Sequence, residues 1–363
     1  MKDEKEHFTI DLCDMSPLFF DVRLDKIYRT NQNGEQTVVP GYKTIVNVET
    51  DKPISIISDD YQLITNRYAY DLCEPFIKII FKDLELSDFF CFDYYLSSTK
   101  GVCNFGLLTL KKEFLLWRGE AERYYPFIIV NNSYNKYSPF KIYMGFMREE
   151  CANGCLFTRG PWLSGFSLPH TKKHKISDAY EYFKKRFKNY TNIDEYWQMF
   201  ADDMNILKSE HFNQSFTIPM LIDALNLYQD KNTDELKEID IYNIQVQLET
   251  LIDIIDRNLN TLGQNYYAFY NALTYIASHP KESGFEKRYT YNLQKRVSEW
   301  SVDITNSFRS KDNPTKKIDY YLWFYADLLR TNNSIYKHTA YCDIDFYGKK
   351  YFELKQLKEQ HQQ

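Results

Sequence analysis

The hydrophobic pattern of this chain changes its period once, and that change constrains the fold more than any other feature. The first 160 residues are mainly typical of strands, and residues 42–48 alternate apolar and polar side chains in the two-residue repeat of a strand. From about residue 176, apolar side chains recur at helical spacing, most clearly over residues 239–262. We therefore predict an α+β fold in two domains. Residues 1–175 form a β-rich domain, a mostly antiparallel sheet with a packed helix, and residues 176–363 form a helical region packed on it.

Three local signals refine this prediction. Asn33-Gly34 is typical of a two-residue hairpin turn between two strands. Residues 67–82 carry apolar side chains at helical spacing, and Pro75 within them predicts a kink or a late helix start. Thr217, followed two residues later by Pro219, predicts a helix N-terminus with the threonine at the cap position or next to it.

Charge and cysteine content limit the classes of function that this chain can have. The formal net charge of -5 excludes a uniformly basic nucleic-acid binder, so any polyanion must bind to a local patch. Seven cysteines, an odd number, indicate reduced thiols rather than a disulfide framework. The charged N-terminus lacks a secretory signal, and no apolar run approaches the roughly 18 residues of a membrane helix. We expect a cytoplasmic protein that does not enter a membrane.

One set of residues has the ligand types and nearly the spacing of a Cys2His2 zinc site. Cys151 and Cys155 form one pair, and His170 and His174 form the other. The alternative is a tight Asn153-Gly154 turn with a packed cysteine on each side, and a solvent-facing segment at residues 170–175. We expect no cofactor, and zinc at these four residues is the alternative.

A second segment, residues 170–190, interleaves basic and aromatic side chains. Cations neutralise phosphates and aromatic faces stack on bases, so this composition favours a platform for single strands. The alternative is an ordinary amphipathic helix with its aromatic side chains in the core. With the basic residues upstream, the candidate nucleic-acid-binding residues are Arg148, Asn153, Gly154, Arg159, His170, Lys172, Lys173, Lys184, Lys185 and Arg186.

The turn after Arg148 has two interpretations. In the first, hydrogen-bond donors of the turn and of a neighbouring hairpin bind a phosphate together. These donors are Arg148, Asn153, the Gly154 backbone, Asn132 and Ser133. In the second, the Asn-Gly pair only closes a hairpin and the arginine pairs with Glu149 or Glu150. Catalytic signatures are absent from the sequence: it has no P-loop, no dinucleotide-binding glycine motif, no nucleophile elbow and no H-E-x-x-H. We expect a protein without enzymatic activity.

Four short motifs follow one another over about residues 40–280. They are Ser58-x-x-Tyr61-x-Leu63-Ile64-x-Asn66, then Asn132-Ser133-Tyr134-Asn135, then Arg148-x-x-Cys151-x-Asn153-Gly154 with His170 downstream, and finally Asn271-Ala272-x-Thr274 before His279. In this order they resemble the phage/plasmid-like protein family of bacterial mobile elements (domain of unknown function 932). The family pattern contains neither Cys155 nor His174, so a zinc site would be particular to this chain.

The resemblance implies a phage or plasmid protein made in the cytoplasm of a bacterial host. Combined with the basic and aromatic segment, it predicts a non-enzymatic protein that binds nucleic acid, single-stranded DNA above all, in replication or recombination. The protein would act alone or as a homo-oligomer. The alternative is a counter-defence or host-takeover factor that binds and occludes a bacterial enzyme, because a tyrosine-rich acidic surface suits protein interfaces.

Overall fold

The computed structural model describes residues 12–97, 101–117, 122–159, 165–172, 179–186, 192–228 and 237–312. It divides the chain into two compact units, Met1–Gln198 and Met199–Gln363. The described residues of the first unit carry antiparallel sheets and the second unit is helical, so the predicted α+β class is confirmed. None of the described helices is both long and apolar enough to cross a membrane.

A three-stranded antiparallel sheet begins the first unit. Its strands lie in the order β1 (Val22–Thr30), β2 (Gln36–Asn47) and β3 (Pro53–Ser58). The predicted hairpin between β1 and β2 is present, but its loop spans residues 31–35 instead of two residues. The side chain of Asn31 explains the longer loop, because its Oδ1 accepts hydrogen bonds from the backbone N–H groups of Asn33 and Glu35.

A larger antiparallel sheet forms the centre of the first unit. Its main path runs β10 (Phe166–Leu168), β8 (Phe140–Arg148), β7 (Glu122–Ser133), β5 (Val102–Leu108) and β4 (Phe90–Ser97). Two short strands join it: β6 (Phe114–Leu116) pairs with β7, and β9 (Asn153–Leu156) pairs with β8. The central strand β7 is buried along ten consecutive residues. This explains its nearly continuous apolar sequence, because both of its faces are covered.

Helices cover one face of the large sheet. They are α1 (Asn66–Asp71), α2 (Cys73–Ile80), α3 (Ala179–Arg186) and the start of α4 (Ile193–Ser209). Phe183 of α3 stacks on Phe166 of β10 with ring centroids 3.6 Å apart, and its ring edge meets Phe76 of α2. The segment predicted as a kinked helix over residues 67–82 is two helices, α1 and α2, that meet at Leu72.

The second unit is a helical bundle. Its helices are the end of α4, then α5 (Thr217–Leu225), α6 (Glu238–Leu262), α7 (Tyr266–Ser278) and α8 (Thr290–Ser310). Helix α7 packs against both α6 and α8, and eleven of its thirteen residues are buried. A helix that is apolar on all sides belongs at the centre of a bundle. Helix α5 begins at Thr217, next to its cap residue Phe216, as the Thr-Pro signal predicted.

Candidate functional site

Three separate segments of the sequence meet at one end of the large sheet. Tyr61 follows β3, Ser133 ends β7 and is followed by Tyr134, and Asn66 begins α1. The Tyr61 hydroxyl donates to the Ser133 carbonyl oxygen at 2.9 Å, and the Tyr134 hydroxyl accepts from the Asn66 backbone N–H at 2.9 Å. The first two motifs of the family-like pattern are therefore neighbours in space, although about seventy residues separate them in sequence.

Asn132 joins these segments from the interior. Its side chain is fully buried, and its Nδ2 donates to the Ile64 carbonyl oxygen and to Oδ1 of Asn66, each at 2.9 Å. Buried amides need such partners, because an unsatisfied polar group in the core costs about 1–3 kcal/mol. Its own Oδ1 has no hydrogen-bond partner among the described residues. The residue acts mainly as a structural bridge between β7 and the start of α1.

His170 closes this cluster from the segment after β10. Its ring stacks on Tyr61 with centroids 5.0 Å apart and 10° between the planes. The Nδ1 atom lies 3.2 Å from the Gln62 carbonyl oxygen, and the Gln62 N–H donates back to the His170 carbonyl oxygen at 3.1 Å. Burial lowers the pKa of His170 to about 4, so the imidazole is neutral at pH 7. Since Nδ1 faces a carbonyl, the proton belongs on Nδ1, and the buried Nε2 is an acceptor without a described partner.

Three lysines surround this end of the sheet. The Nζ atom of Lys136, in the loop between β7 and β8, lies 5.9 Å from the centroid of the Tyr61 ring, within the range of a cation–π contact. Lys172 is exposed, and its backbone N–H donates to the Asp60 carbonyl oxygen at 3.0 Å. Lys141 lies on β8 and is half-buried. Among the residues that the structure describes, no carboxylate forms an ion pair with these three lysines.

A row of hydrogen-bonding side chains that includes Lys141 crosses the same end of the large sheet, on the face opposite to Asn132. Consecutive cross-strand partners share one face of an antiparallel sheet, and the register places one polar residue on each of five strands. The row is Tyr95, Asn104, Asn131, Lys141 and Ser167. Four of these residues are half-buried, whereas Asn131 is 5% exposed and its Oδ1 has no described partner. The row therefore offers hydroxyl, amide and ammonium groups along about 19 Å of one sheet face.

The predicted phosphate-binding turn is contradicted by its burial and its position. Arg148 is 4% exposed, and its guanidinium forms ion pairs with Glu122 at 2.9 Å and with Glu150. Asn153 and Gly154 are buried. In the register of β7, Arg148 faces Tyr124, which lies eight residues, or about 26 Å, before Asn132. The turn and the Asn132 segment thus occupy opposite ends of the sheet, and the alternative of a closed hairpin with a paired arginine is confirmed.

The remaining predicted basic residues have different environments. Lys172, Lys184 and Lys185 are exposed, and Arg159 is half-buried. Phe183 of α3 is fully buried against the sheet, as expected of an amphipathic helix with its aromatic side chains in the core. Lys173 and the side chain of Arg186 lie outside the described residues. The structure therefore places Lys172 beside the Tyr61–His170 stack and leaves Lys184 and Lys185 on the outer surface of α3.

The register also contradicts the four-residue zinc site. Cys155 pairs with Phe146 of β8, whereas His170 follows Leu168, which pairs with Phe140. Six residues of β8, about 20 Å, separate these two positions. Zinc ligands bind within about 2.3 Å of the metal, so Cys155 and His170 do not share an ion. The Cys151 side chain and His174 lie outside the described residues, within which no group of three metal-ligating side chains occurs.

The last motif lies in the second unit, on and just after α7. The Asn271 side chain donates to the Tyr267 carbonyl oxygen at 2.9 Å, and the Thr274 hydroxyl donates to the Asn271 carbonyl oxygen at 2.9 Å. His279 stacks on Tyr275 with centroids 4.2 Å apart. These side chains bond to their own helix, which indicates a structural role for Asn271 and Thr274 within the bundle.

The sequence alone does not reveal the polar row, its member Lys141 or the nearby Lys136. Asn131, Lys136 and Lys141 look ordinary along the chain, because a single polar residue in a strand carries no information about its cross-strand partners. The available signal was one polar side chain in each of several otherwise apolar strands. Only the pairing register shows that these side chains lie side by side. No model of a known protein family, no curated protein and no solved structure matches this sequence.

Proposed function

We propose that the protein binds nucleic acid, with single strands favoured, at the end of the large sheet that carries the polar row. The supporting observation is the combination of this row with Lys136, Lys141 and Lys172, which have no ion-pair partner among the described residues. Ammonium groups attract phosphates and release their counterions, while amides and hydroxyls bond to exposed base edges. The lysine ammonium groups supply affinity, and the amide and hydroxyl groups of the row supply contacts to bases.

A single strand suits this surface better than a duplex does. The polar side chains lie along one sheet face, four of them half-buried and Asn131 buried, so a ligand must bring its own donors and acceptors close to the strands. A splayed single strand can present its base edges to such a surface, whereas duplex bases are paired and recessed in grooves. The resemblance to mobile-element proteins implies replication or recombination as the setting.

A charge-reversal experiment tests this proposal. The triple variant Lys136→Glu, Lys141→Glu, Lys172→Glu is compared with a control, Lys52→Glu, Lys82→Glu, Lys111→Glu, which has the same net charge and changes exposed lysines of the same unit. Fluorescence anisotropy measures the affinity for a labelled single-stranded oligonucleotide across a salt series. Three phosphate contacts contribute about -2 to the slope of log K against log salt, and the site variant should lose this contribution while the control keeps it.

Two outcomes count against the proposal. Equal weakening by both triple variants would show that net charge, and not this surface, governs binding. Absence of binding by the wild-type protein at low salt would reject nucleic-acid binding and leave the protein-binding alternative. Circular dichroism of each variant confirms that the fold is intact before affinities are compared.

A further inference from the structure

The hairpin of β1 and β2 is longer than the third strand of its sheet, and its distal part projects beyond β3. Strand β3 pairs with β2 only between Tyr42 and Val46, so the remainder of the hairpin is two-stranded. The pairing of β1 with β2 is interrupted after Lys26 and resumes between Tyr28 and Val38. We call residues 26–43 the arm. Every side chain of residues 28–40 is exposed or half-buried, so neither face of the arm packs on the core of the protein.

The arm is ordered by its own hydrogen bonds. The Nε atom of Arg29 donates to the Thr37 hydroxyl across the ribbon at 3.0 Å. At the tip, the Oδ1 atom of Asn31 accepts from two backbone N–H groups at 3.0 and 2.9 Å. An isolated two-stranded ribbon is at best marginally stable in water, so a chain that keeps such a ribbon outside its core has a use for its surface.

The surface of the arm has the chemistry of a nucleic-acid contact. Lys26 and Arg29 are exposed, and no described carboxylate forms an ion pair with either. Glu35, at the tip, is the sole acidic residue between them and Lys43. Uncharged donors and acceptors flank the tip on both strands: Thr30, Asn31, Gln32, Asn33, Gln36 and Thr37. Arginine, asparagine and glutamine are the side chains that pair with base edges in the major groove.

We propose that the arm enters the major groove of a nucleic-acid duplex. From Lys26 to Thr30 the strand β1 advances by four residues, or about 13 Å, before the tip loop, while the major groove of B-form DNA is about 8.5 Å deep. The groove is about 12 Å wide and admits a two-stranded ribbon, whereas the minor groove, about 6 Å wide, does not without deformation. The arm is long enough to place Arg29 at the phosphates while its tip reaches the bases.

The base of the arm adjoins the proposed single-strand surface. The Asp59 N–H donates to the Gly41 carbonyl oxygen at 3.0 Å, and the next residue, Asp60, accepts from the Lys172 N–H at 3.0 Å. Lys43 offsets the charge of Asp59 in an ion pair of 3.5 Å. This inference rests on the proposed function and makes its ligand more specific: a junction, with a single strand on the sheet and the adjoining duplex under the arm.

Three probes test the arm: a single-stranded oligonucleotide, a blunt duplex, and the same duplex with a single-stranded tail. The variant Lys26→Glu, Arg29→Glu is compared with the control Lys52→Glu, Lys82→Glu, which has the same net charge and changes exposed lysines of the same unit. The arm variant should bind the tailed duplex at least tenfold more weakly than the wild type does. For the tailed duplex, the slope of log K against log salt should also become less negative by about 2 in the arm variant. Its affinity for the single strand should stay unchanged.

The outcomes separate this inference from the proposed function. Unchanged binding of the tailed duplex by the arm variant overturns the role of the arm and leaves the single-strand surface standing. An equal loss for the single strand and the tailed duplex also overturns it, because the arm would then be part of the single-strand surface. Sedimentation of both variants provides a further check: loss of self-association in the arm variant alone would identify a second copy of this chain as the occupant and reject the duplex. Absence of binding to all three probes by the wild type rejects both proposals.

Discussion

Asn131 and Asn132 are neighbours of one residue type whose side chains project to opposite faces of β7. Asn132 is fully buried and donates two hydrogen bonds to the segment that begins α1, whereas the Oδ1 atom of Asn131 lies in the polar row without a described partner. Alanine at each position therefore separates support of the fold from ligand binding. We predict that the two substitutions have opposite consequences.

The expected magnitudes follow from the bonds lost. Asn132→Ala leaves the Ile64 carbonyl oxygen and Oδ1 of Asn66 without a donor, and each buried orphan costs about 1–3 kcal/mol. Removal of the unpartnered Oδ1 of Asn132 returns part of this cost, so we expect a loss of about 2–4 kcal/mol in the free energy of unfolding. Asn131→Ala removes an acceptor that bonds to no described group, and its expected cost is below about 1 kcal/mol.

Urea titrations followed by tryptophan fluorescence measure these differences. Because the chain forms two compact units, calorimetry first establishes whether they unfold in one transition or two. Anisotropy with the labelled single strand then measures binding, and Asn131→Ala should weaken it several-fold at an unchanged salt slope. If Asn131→Ala destabilises the protein as much as Asn132→Ala, or leaves the affinity intact, the division of roles is wrong.

Three further predictions concern stability. Arg148→Met should cost about 3–5 kcal/mol without changing oligonucleotide affinity, because it removes the buried guanidinium that pairs with Glu122, whose side chain is 13% exposed. Urea titration measures the loss of stability and anisotropy measures the affinity. The pKa of His170 is about 4 in the folded protein and about 6.5 when unfolded, so the unfolded chain binds more protons. Stability should fall by up to about 3 kcal/mol as the pH drops from 6.5 to 4, and His170→Gln should remove this dependence in urea titrations at several pH values. Gly145→Ala should lower the free energy of unfolding by about 2 kcal/mol or more in urea titrations, because its Cβ would overlap a carbonyl oxygen of β9. Gly34→Ala should lower it by about 1–2 kcal/mol, because Gly34 has φ +83 but open space around an added Cβ.

Several elements follow from periodicity alone. Apolar side chains at helical spacing predicted α6 within one residue of its observed start, and the Thr-Pro signal located the start of α5. Alternation over residues 42–48 predicted the second half of β2. These features depend on neighbours within a few residues, and the energetic preference for burying one face of a helix or strand is therefore visible in the local sequence.

The candidate site could not be derived in this way. The Arg148 turn looked accessible because its residues are polar, yet the register buries it against Glu122 at the opposite end of the sheet from Asn132. The residues that do meet, Tyr61, Asn132 and His170, come from three segments that are distant in sequence. Sequence patterns relate residues that are close along the chain. Strand order and register decide which residues are close in the folded sheet.

The sequence by itself determined which segments are strands or helices, which sides of them are apolar, and that any polyanion must bind to a local patch of an acidic molecule. Tertiary structure decided which polar side chains share a face, which cations lack an acidic partner among the described residues, and that the first hairpin stands clear of the core. The physical reason is that periodicity is a local property of the chain. Register and strand order arise from long-range pairing, in which a shift of one residue moves every side chain to the other face.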